Sequence, residues 1–276
     1  VTTDPSSGDQ RRHQRARVLW GLGVGGGASI LLAFMLLPLI ALVATNSWGA
    51  LLDGLNHPLV WPALKLSLTT TTISLSVVVL FGTPLAWLFA RGSGRALAVL
   101  ETVVRLPVVL PPAVAGVALL LAFGRMGLLG GVLGSLGISV PFTTAAVVLA
   151  EVFVSAPFFV QSATAAFRGL DEAHLVVARS LGASPARVFF RVALPIAAPG
   201  LVAGAAMAWA RALGEFGATL MFAGNLTGKT QTLTLAIYTT FESDLVAAQS
   251  ISVVMVAVAF SILWLLSSRF RDQSPG

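Results

Sequence analysis

Charged side chains are scarce in this chain, so the few that fall inside apolar stretches are the first candidates for chemistry. Arg211 and Glu215 stand four apart in Arg211-Ala212-Leu213-Gly214-Glu215-Phe216-Gly217-Ala218-Thr219, a spacing that puts them on one helix face and lets them pair. Glu151 lies in another apolar run and could join them, with Thr219 adding a hydroxyl. Ionisable groups at such depth are costly and mark pathways or gates. The plainer alternative is a structural pair whose arginine snorkels outward. Hydroxyls form a second cluster, from Ser67 through Thr69, Thr70, Thr71, Thr72 and Ser74 to Ser76. Thr69, Thr72 and Ser76 share a helix face and could line a polar path, although such hydroxyls commonly bond back to their own helix. A third candidate, Ala223-Gly224-Asn225-Leu226-Thr227-Gly228-Lys229-Thr230, is one residue short of a phosphate-binding loop. That loop needs a preceding buried strand and a following helix, and here an apolar helix precedes it. His13, His57 and His174 are too scattered for a metal cluster, and the absence of Cys excludes thiolate ligands and disulfides.

The elements that carry these residues follow from composition. The chain has 276 residues, 56% hydrophobic and only 10% charged, with mean hydropathy +0.89. Soluble domains carry about 25% charge, and disordered chains are poor in apolar residues, which leaves a polytopic membrane protein. The net charge of +6 fits basic loops against anionic lipid, with no nucleic acid implied. Apolar runs cover roughly 18–44, 64–90, 106–123, 143–163, 196–216 and 246–267. Each is near the roughly 20 residues a spanning helix needs, and lipid forces each to be helical. The expected fold is all-α with about six transmembrane helices, the third irregular because of Pro107, Pro111 and Pro112.

Residues 1–17 read as a polar tail and 18–276 as the transmembrane domain, its first span retained rather than cleaved as a signal peptide. Arginines gather in the tail, after run two (Arg91, Arg95, Arg105), after run four (Arg168, Arg179, Arg187, Arg191) and at the C-terminal end (Arg269, Arg271). Basic loops stay inside, so both termini are expected in the cytoplasm. No repeat of the inverted-topology kind is evident between the halves.

The loop over 168–195 has its own architecture. Asp171 is a good N-cap, a helix over 172–181 follows, and Gly182 fits the left-handed position that ends it. Ser184 and Pro185 restart a helix as cap and first-turn residue. The product is an elbow on the inner membrane face, with Leu175, Val176, Leu181, Val188 and Phe189 as apolar surface to be buried. From spacing alone it could equally be an amphipathic hairpin resting on lipid. Beyond it, Pro195 and Pro199 open helix five, where Gly200, Gly204 and Ala208 make a face for close helix approach, within a subunit or at a dimer seam.

This run resembles the cytoplasmic loop of ATP-binding-cassette importer permeases: Glu-Ala-Ala, three residues, Gly, nine residues, an aliphatic residue, one more, then Leu-Pro. Val177 and Ala178 fall on the alanines, Gly182 on the glycine, Val192 on the aliphatic position and Leu194-Pro195 on the end, whereas Val176 replaces the glutamate. Gly214–Thr219, Thr230-Gln231-Thr232-Leu233 and Leu106–Pro112 resemble the molybdate and tungstate permeases, with sulfate permeases as relatives.

The resemblance implies a type I importer permease fold in the inner (cytoplasmic) membrane and a homodimer enclosing an oxyanion pathway. Val177, Ala178, Gly182, Ala183, Ser184, Arg187, Leu194 and Pro195 would couple to a cytoplasmic ATPase dimer, and Glu151, Arg211, Glu215, Thr219, Thr69, Thr72 and Ser76 are the pathway or gate candidates. An extracytoplasmic binding protein would deliver the anion. ATP and magnesium would be used by the ATPase, with no cofactor on this chain and no catalysis by it. Within the family the alternative is a sulfate importer. From another class, an ion-coupled secondary transporter would use an intramembrane acid such as Glu151.

Overall fold

The structure, a computed structural model, describes the backbone of residues 6–45 and 47–271 and the side chains of residues 25–45 and 47–265. The side chains of the expected polar tail, and Arg269 and Arg271, lie outside the described residues. All regular structure among the described residues is helical. Among the described residues five helices are long and apolar enough to cross a bilayer, or six spans if a bent pair of helices counts as one.

The first, α1 (Ser6–Ala44), contains the 20-residue apolar stretch Gly25–Ala44 and lies in the first of two compact units, which ends at Leu51. A short α2 (Trp48–Gly54) leads into α3 (Val60–Arg91), the longest helix of the second unit. Its buried face reads Ala63, Ser67, Thr70, Thr71, Ser74, Val78, Gly82 and Ala86. These small residues recur at helical spacing and let a neighbour approach. At Gly82 an added Cβ would lie 2.8 Å from the Phe159 ring.

The third apolar run is not one helix. It divides between α4 (Arg95–Val109) and α5 (Pro112–Phe123), which meet at 119°. Pro111 and Pro112 have no N–H to continue the ladder, and Leu110 adopts the extended conformation that a following proline favours. At about 1.5 Å per residue the 12 residues of α5 rise about 18 Å, short of the roughly 30 Å hydrocarbon core. After the short α6 (Gly130–Ser135), α7 (Thr144–Arg168) runs back across the bundle, its first turn capped by Thr143 Oγ1, which accepts from Ala146 N at 3.2 Å.

The elbow follows as α8 (Glu172–Ser180) and α9 (Pro185–Val188). The fifth span starts earlier than Pro195: α9 passes through a π turn at Phe189–Ala193 straight into α10 (Leu194–Leu213). Leu194 N reaches back to Phe189 O, and Pro195 supplies no N–H of its own, so the ladder slips by one residue there. α10 packs on α7 through the small-residue face. An added Cβ at Gly200 would lie 2.5 Å from Ala166 Cβ, and one at Gly204 would lie 2.7 Å from Ser162 Cβ. That face is thereby used inside the subunit. The chain closes with α11 (Gly217–Ala223), α12 (Leu233–Phe241) and α13 (Leu245–Arg271).

Candidate functional site

The elbow forms from local signals. Asp171 caps α8 by accepting from Ala173 N at 2.9 Å, and Ser184 Oγ caps α9 by accepting from Arg187 N at 3.4 Å. Between them Gly182 has φ +78°, a left-handed conformation that any side chain destabilises. Its position is open, with no atom within 4 Å of an added Cβ, so the requirement comes from the backbone alone. The apolar residues divide between two faces. Leu175 and Val188 are buried in the core beneath the elbow with Ala86, Phe89, Phe167 and Leu170. Val176, Val177 and Leu181 point outward and are exposed, Leu181 at 83%. Ala178 and Ala183 are half-buried, and Ser184, Arg187 and Pro195 are exposed. One face is therefore anchored to the bundle, and the other presents bare aliphatic surface at the end of α7 and the start of α10.

The anchor is aromatic and cationic. Trp87 meets the Phe167 and Phe189 rings edge-on at 5.2 Å each, and Arg91 sits 5.4 Å over the Trp87 ring while donating to Phe167 O at 3.0 Å. Arg168, the last residue of α7, donates to Phe89 O at 3.1 Å and pairs with Glu101 of α4 at 2.7 Å. Glu101 also holds Arg105 on its own helix. Because Phe189 starts the π turn, this cluster connects the elbow to α3, α7 and α10 together.

A second polar assembly lies in the spans. Glu151 is 1% exposed. Its Oε1 accepts from Thr70 Oγ1 at 2.8 Å and its Oε2 from Ser74 Oγ at 2.7 Å. One turn toward the start of α3, Ser67 Oγ accepts from Leu233 N at 2.8 Å. Arg211 and Glu215 meet at 2.7 Å. The contact is off-axis, since Glu215 Oε2 takes no hydrogen bond there. Glu215 Oε1 accepts from Ala218 N at 2.7 Å and so caps α11, while its carbonyl receives Thr234 Oγ1 at 2.6 Å. Thr219, in α11, is fully buried, its hydroxyl without a hydrogen-bond partner among the described residues. The network thus ties α3, α7, α10, α11 and α12 together.

Thr69, Thr72 and Ser76 stand on the exposed face of α3 and do not join this network. Each bonds back one turn, to Lys65 O, Leu68 O and Thr72 O at 2.6–2.8 Å. Sequence reasoning named Ser67, Thr70 and Ser74 in the hydroxyl cluster but gave them no special place. The signal was available in the small residues Ala63, Gly82 and Ala86, which mark the same face as the buried one.

The phosphate-loop candidate is occupied by its own backbone. Leu226 O receives the N–H groups of Lys229, Thr230 and Gln231 at 3.0, 2.9 and 3.1 Å. These are the amides that a phosphate would need. Among the described residues, no three acidic or histidine side chains come together where they could hold a metal ion.

A bundle of spanning helices with a capped elbow at one end and a buried polar pin between the spans fits the class that the sequence resemblance implied, a membrane permease of the ATP-binding-cassette importer class. Residues 82–273 match the family described as binding-protein-dependent transport system inner membrane component, and the chain belongs to that family. It is 46% identical to the molybdenum transport system permease protein ModB of Mycobacterium tuberculosis over 228 residues, 83% of this chain and 86% of that one. It is 36% identical to the ModB of Escherichia coli K12 over 76% of this chain and 92% of that one. With the probable transport system permease protein NifC of Clostridium pasteurianum it shares 35% identity, over 88% of this chain and 86% of that one. Solved structures share the fold at low identity. A bacterial transporter importing the acidic polysaccharide alginate aligns at TM-score 0.73 and 16% identity, over 96% of this chain and all of that one. The MetNI methionine transporter aligns at 0.63 and 18%, over 79% of this chain and 97% of that one.

Proposed function

We propose that this chain is the permease subunit of a molybdate importer, working as a homodimer with a cytoplasmic ATPase dimer on its elbows and an extracytoplasmic binding protein on its opposite face. The elbow carries this reading. Leu175 and Val188 lock one face of it to the bundle while Val177 and Leu181 leave the other bare, the arrangement required of a lever gripped from outside. The continuity of α9 with α10 gives such a lever a direct route into a span. With the elbow in the cytoplasm, both termini lie inside, and ATP and magnesium act on the partner rather than on this chain. Val177, Ala178, Gly182, Ala183, Ser184 and Arg187 form the coupling surface, and Leu194 and Pro195 pass its movement on through the π turn. Glu151, Arg211, Glu215 and Thr219 are the gate candidates, while Thr69, Thr72 and Ser76 face away from the subunit's core, where a second copy or the pathway would meet them.

The substrate follows the curated relatives, whose names specify molybdenum transport. Proteoliposomes holding the permease with its ATPase, supplied with the binding protein, should accumulate molybdate only with ATP. Tungstate should compete and sulfate should compete less. Preferred competition by sulfate would reassign the substrate, and accumulation without the ATPase would overturn the reading.

A further inference from the structure

We propose that the cleft at the end of the bundle opposite the elbow is a weak receiving site for a free divalent oxyanion, held by Arg125 and Lys229; this deepens the importer reading and rests on it. The cleft has a volume of about 790 Å³ and is lined by the end of α5, the segment leading into α7 and the loop after α11. Its lining carries two cations, Arg125 and Lys229, the hydroxyls of Ser139 and Thr143, and no carboxylate. Arg125 and Lys229 are both exposed. Four arginines elsewhere have partners: Arg105 and Arg168 pair with Glu101, Arg211 pairs with Glu215, and Arg91 donates to Phe167 O. Among the described residues neither Arg125 nor Lys229 makes an ion pair or a side-chain hydrogen bond; Arg95, Arg179, Arg187 and Arg191 make none either, but of these only Arg125 and Lys229 line this cleft. Two cations in one concavity without a counter-charge repel each other, and an anion between them relieves that repulsion.

The backbone fastens the Lys229 side of the cleft. Thr144 Oγ1 donates to Lys229 O at 2.9 Å, fastening the Lys229 loop to the first residue of α7. Phe142, which also lines the cleft, has φ +61°, a left-handed conformation unusual for a bulky residue. Strain of this kind persists only where the surroundings hold it and gathers at ligand sites. Here Phe142 N donates to Phe222 O at 3.4 Å, and the ring lies over Gly224, where an added Cβ would come within 3.0 Å of it. The positive end of α7 points to the same wall and adds to the potential.

A divalent anion between two solvent-exposed cations is bound weakly, because water screens both contacts. Weakness suits a transit site, since a tightly held anion would not move on. The cleft would therefore concentrate anions at the mouth rather than select among them.

Equilibrium binding of radiolabelled molybdate to the assembled permease–ATPase complex, in nanodiscs of uncharged lipid and without binding protein, tests this. The wild type should bind saturably, and R125Q/K229Q should weaken binding by about tenfold or more, which is about 1.4 kcal/mol. K65Q removes a cation near the start of α3, outside the cleft lining, and should leave binding within about twofold. Affinity for the binding protein should be unaltered in R125Q/K229Q. Absence of saturable binding in the wild type would overturn the proposal, as would an equal loss in K65Q. So would intact anion binding in R125Q/K229Q with loss of binding-protein affinity, which would make the cleft a protein-docking face. ATP-driven molybdate uptake by a complex that fails the binding assay would sink this site and leave the importer reading standing.

Discussion

Ser74 of α3 donates its hydroxyl to Oε2 of Glu151 of α7 at 2.7 Å, and the same hydroxyl lies 3.2 Å from Val148 O. A serine on one span therefore meets both a carboxylate and a main-chain carbonyl of another. With Thr70 on the other carboxylate oxygen, it fixes the register of α3 against α7 at a depth where water offers no substitute.

The first prediction concerns the worth of that contact. Interhelical hydrogen bonds in membranes average about 0.6 kcal/mol and reach about 1.7 in double-mutant cycles. A cycle of S74A and E151Q, read by reversible unfolding in detergent, should give a coupling energy toward the upper end of that range, because the acceptor is ionisable and wholly enclosed. Additive effects would mean the contact contributes nothing specific. T70A should couple to E151Q in the same sense.

Gly182 provides a second, mechanical test. Its φ of +78° in open space means that a substitution is penalised by backbone strain and not by collision. A left-handed residue with a Cβ costs about 1–2 kcal/mol, and a β-branched one costs more. Gly182→Val should lower molybdate uptake per ATP hydrolysed while the ATPase still turns over. Gly182→Asn, whose side chain tolerates this conformation, should retain most of the coupling. Equal coupling ratios in wild type and Gly182→Val would show that the elbow's bend does not transmit force.

The contrast between these two sites explains how far the sequence could be read. The elbow was legible because its determinants are local. Asp171, Gly182, Ser184 and Pro185 each act within three residues, and the structure reproduces both caps and the left-handed bend. The bent third run was half legible: Pro111 and Pro112 announced a break, but only packing sets its 119° angle. The orientation of α3 was not read from its hydroxyls, because both of its faces carry them. The partners that select this face are far away in sequence: Glu151 for Thr70 and Ser74, and Leu233 N for Ser67. The start of the fifth span was placed at Pro195 because a proline usually opens a helix. Here the π turn carries the helix across that position from Pro185.

Close packing of α10 on α7 makes the third prediction. A Cβ at Gly204 would lie 2.7 Å from Ser162 Cβ and 3.3 Å from Phe159 O, and neither can retreat without moving α7. Overpacking of this kind costs about 1–3 kcal/mol. Gly204→Leu should lower the unfolding midpoint in detergent, and Gly204→Ala should do so by less. Gly131→Ala, where an added Cβ meets nothing within 4 Å, should be neutral. Equal stability of Gly204→Leu and wild type would mean that α10 and α7 are not held at this separation.

The last prediction separates the two roles of Glu215. Its Oε1 caps α11 through Ala218 N, and its Oε2 faces Arg211. Glu215→Gln keeps an acceptor for the Ala218 N–H and removes only the charge. Glu215→Ala removes both and should cost a further 0.5–2 kcal/mol or so, the usual worth of an N-cap. If the ion pair belongs to the gate, Glu215→Gln should retain stability close to wild type yet lose uptake, and Arg211→Gln should reproduce that loss. A structural pair predicts the reverse ordering, with uptake following stability through Gln and Ala alike. Uptake and unfolding measured on the same purified variants distinguish the two, because a half-buried Arg211 can still reach water when its partner is neutralised, whereas the buried α11 amide cannot.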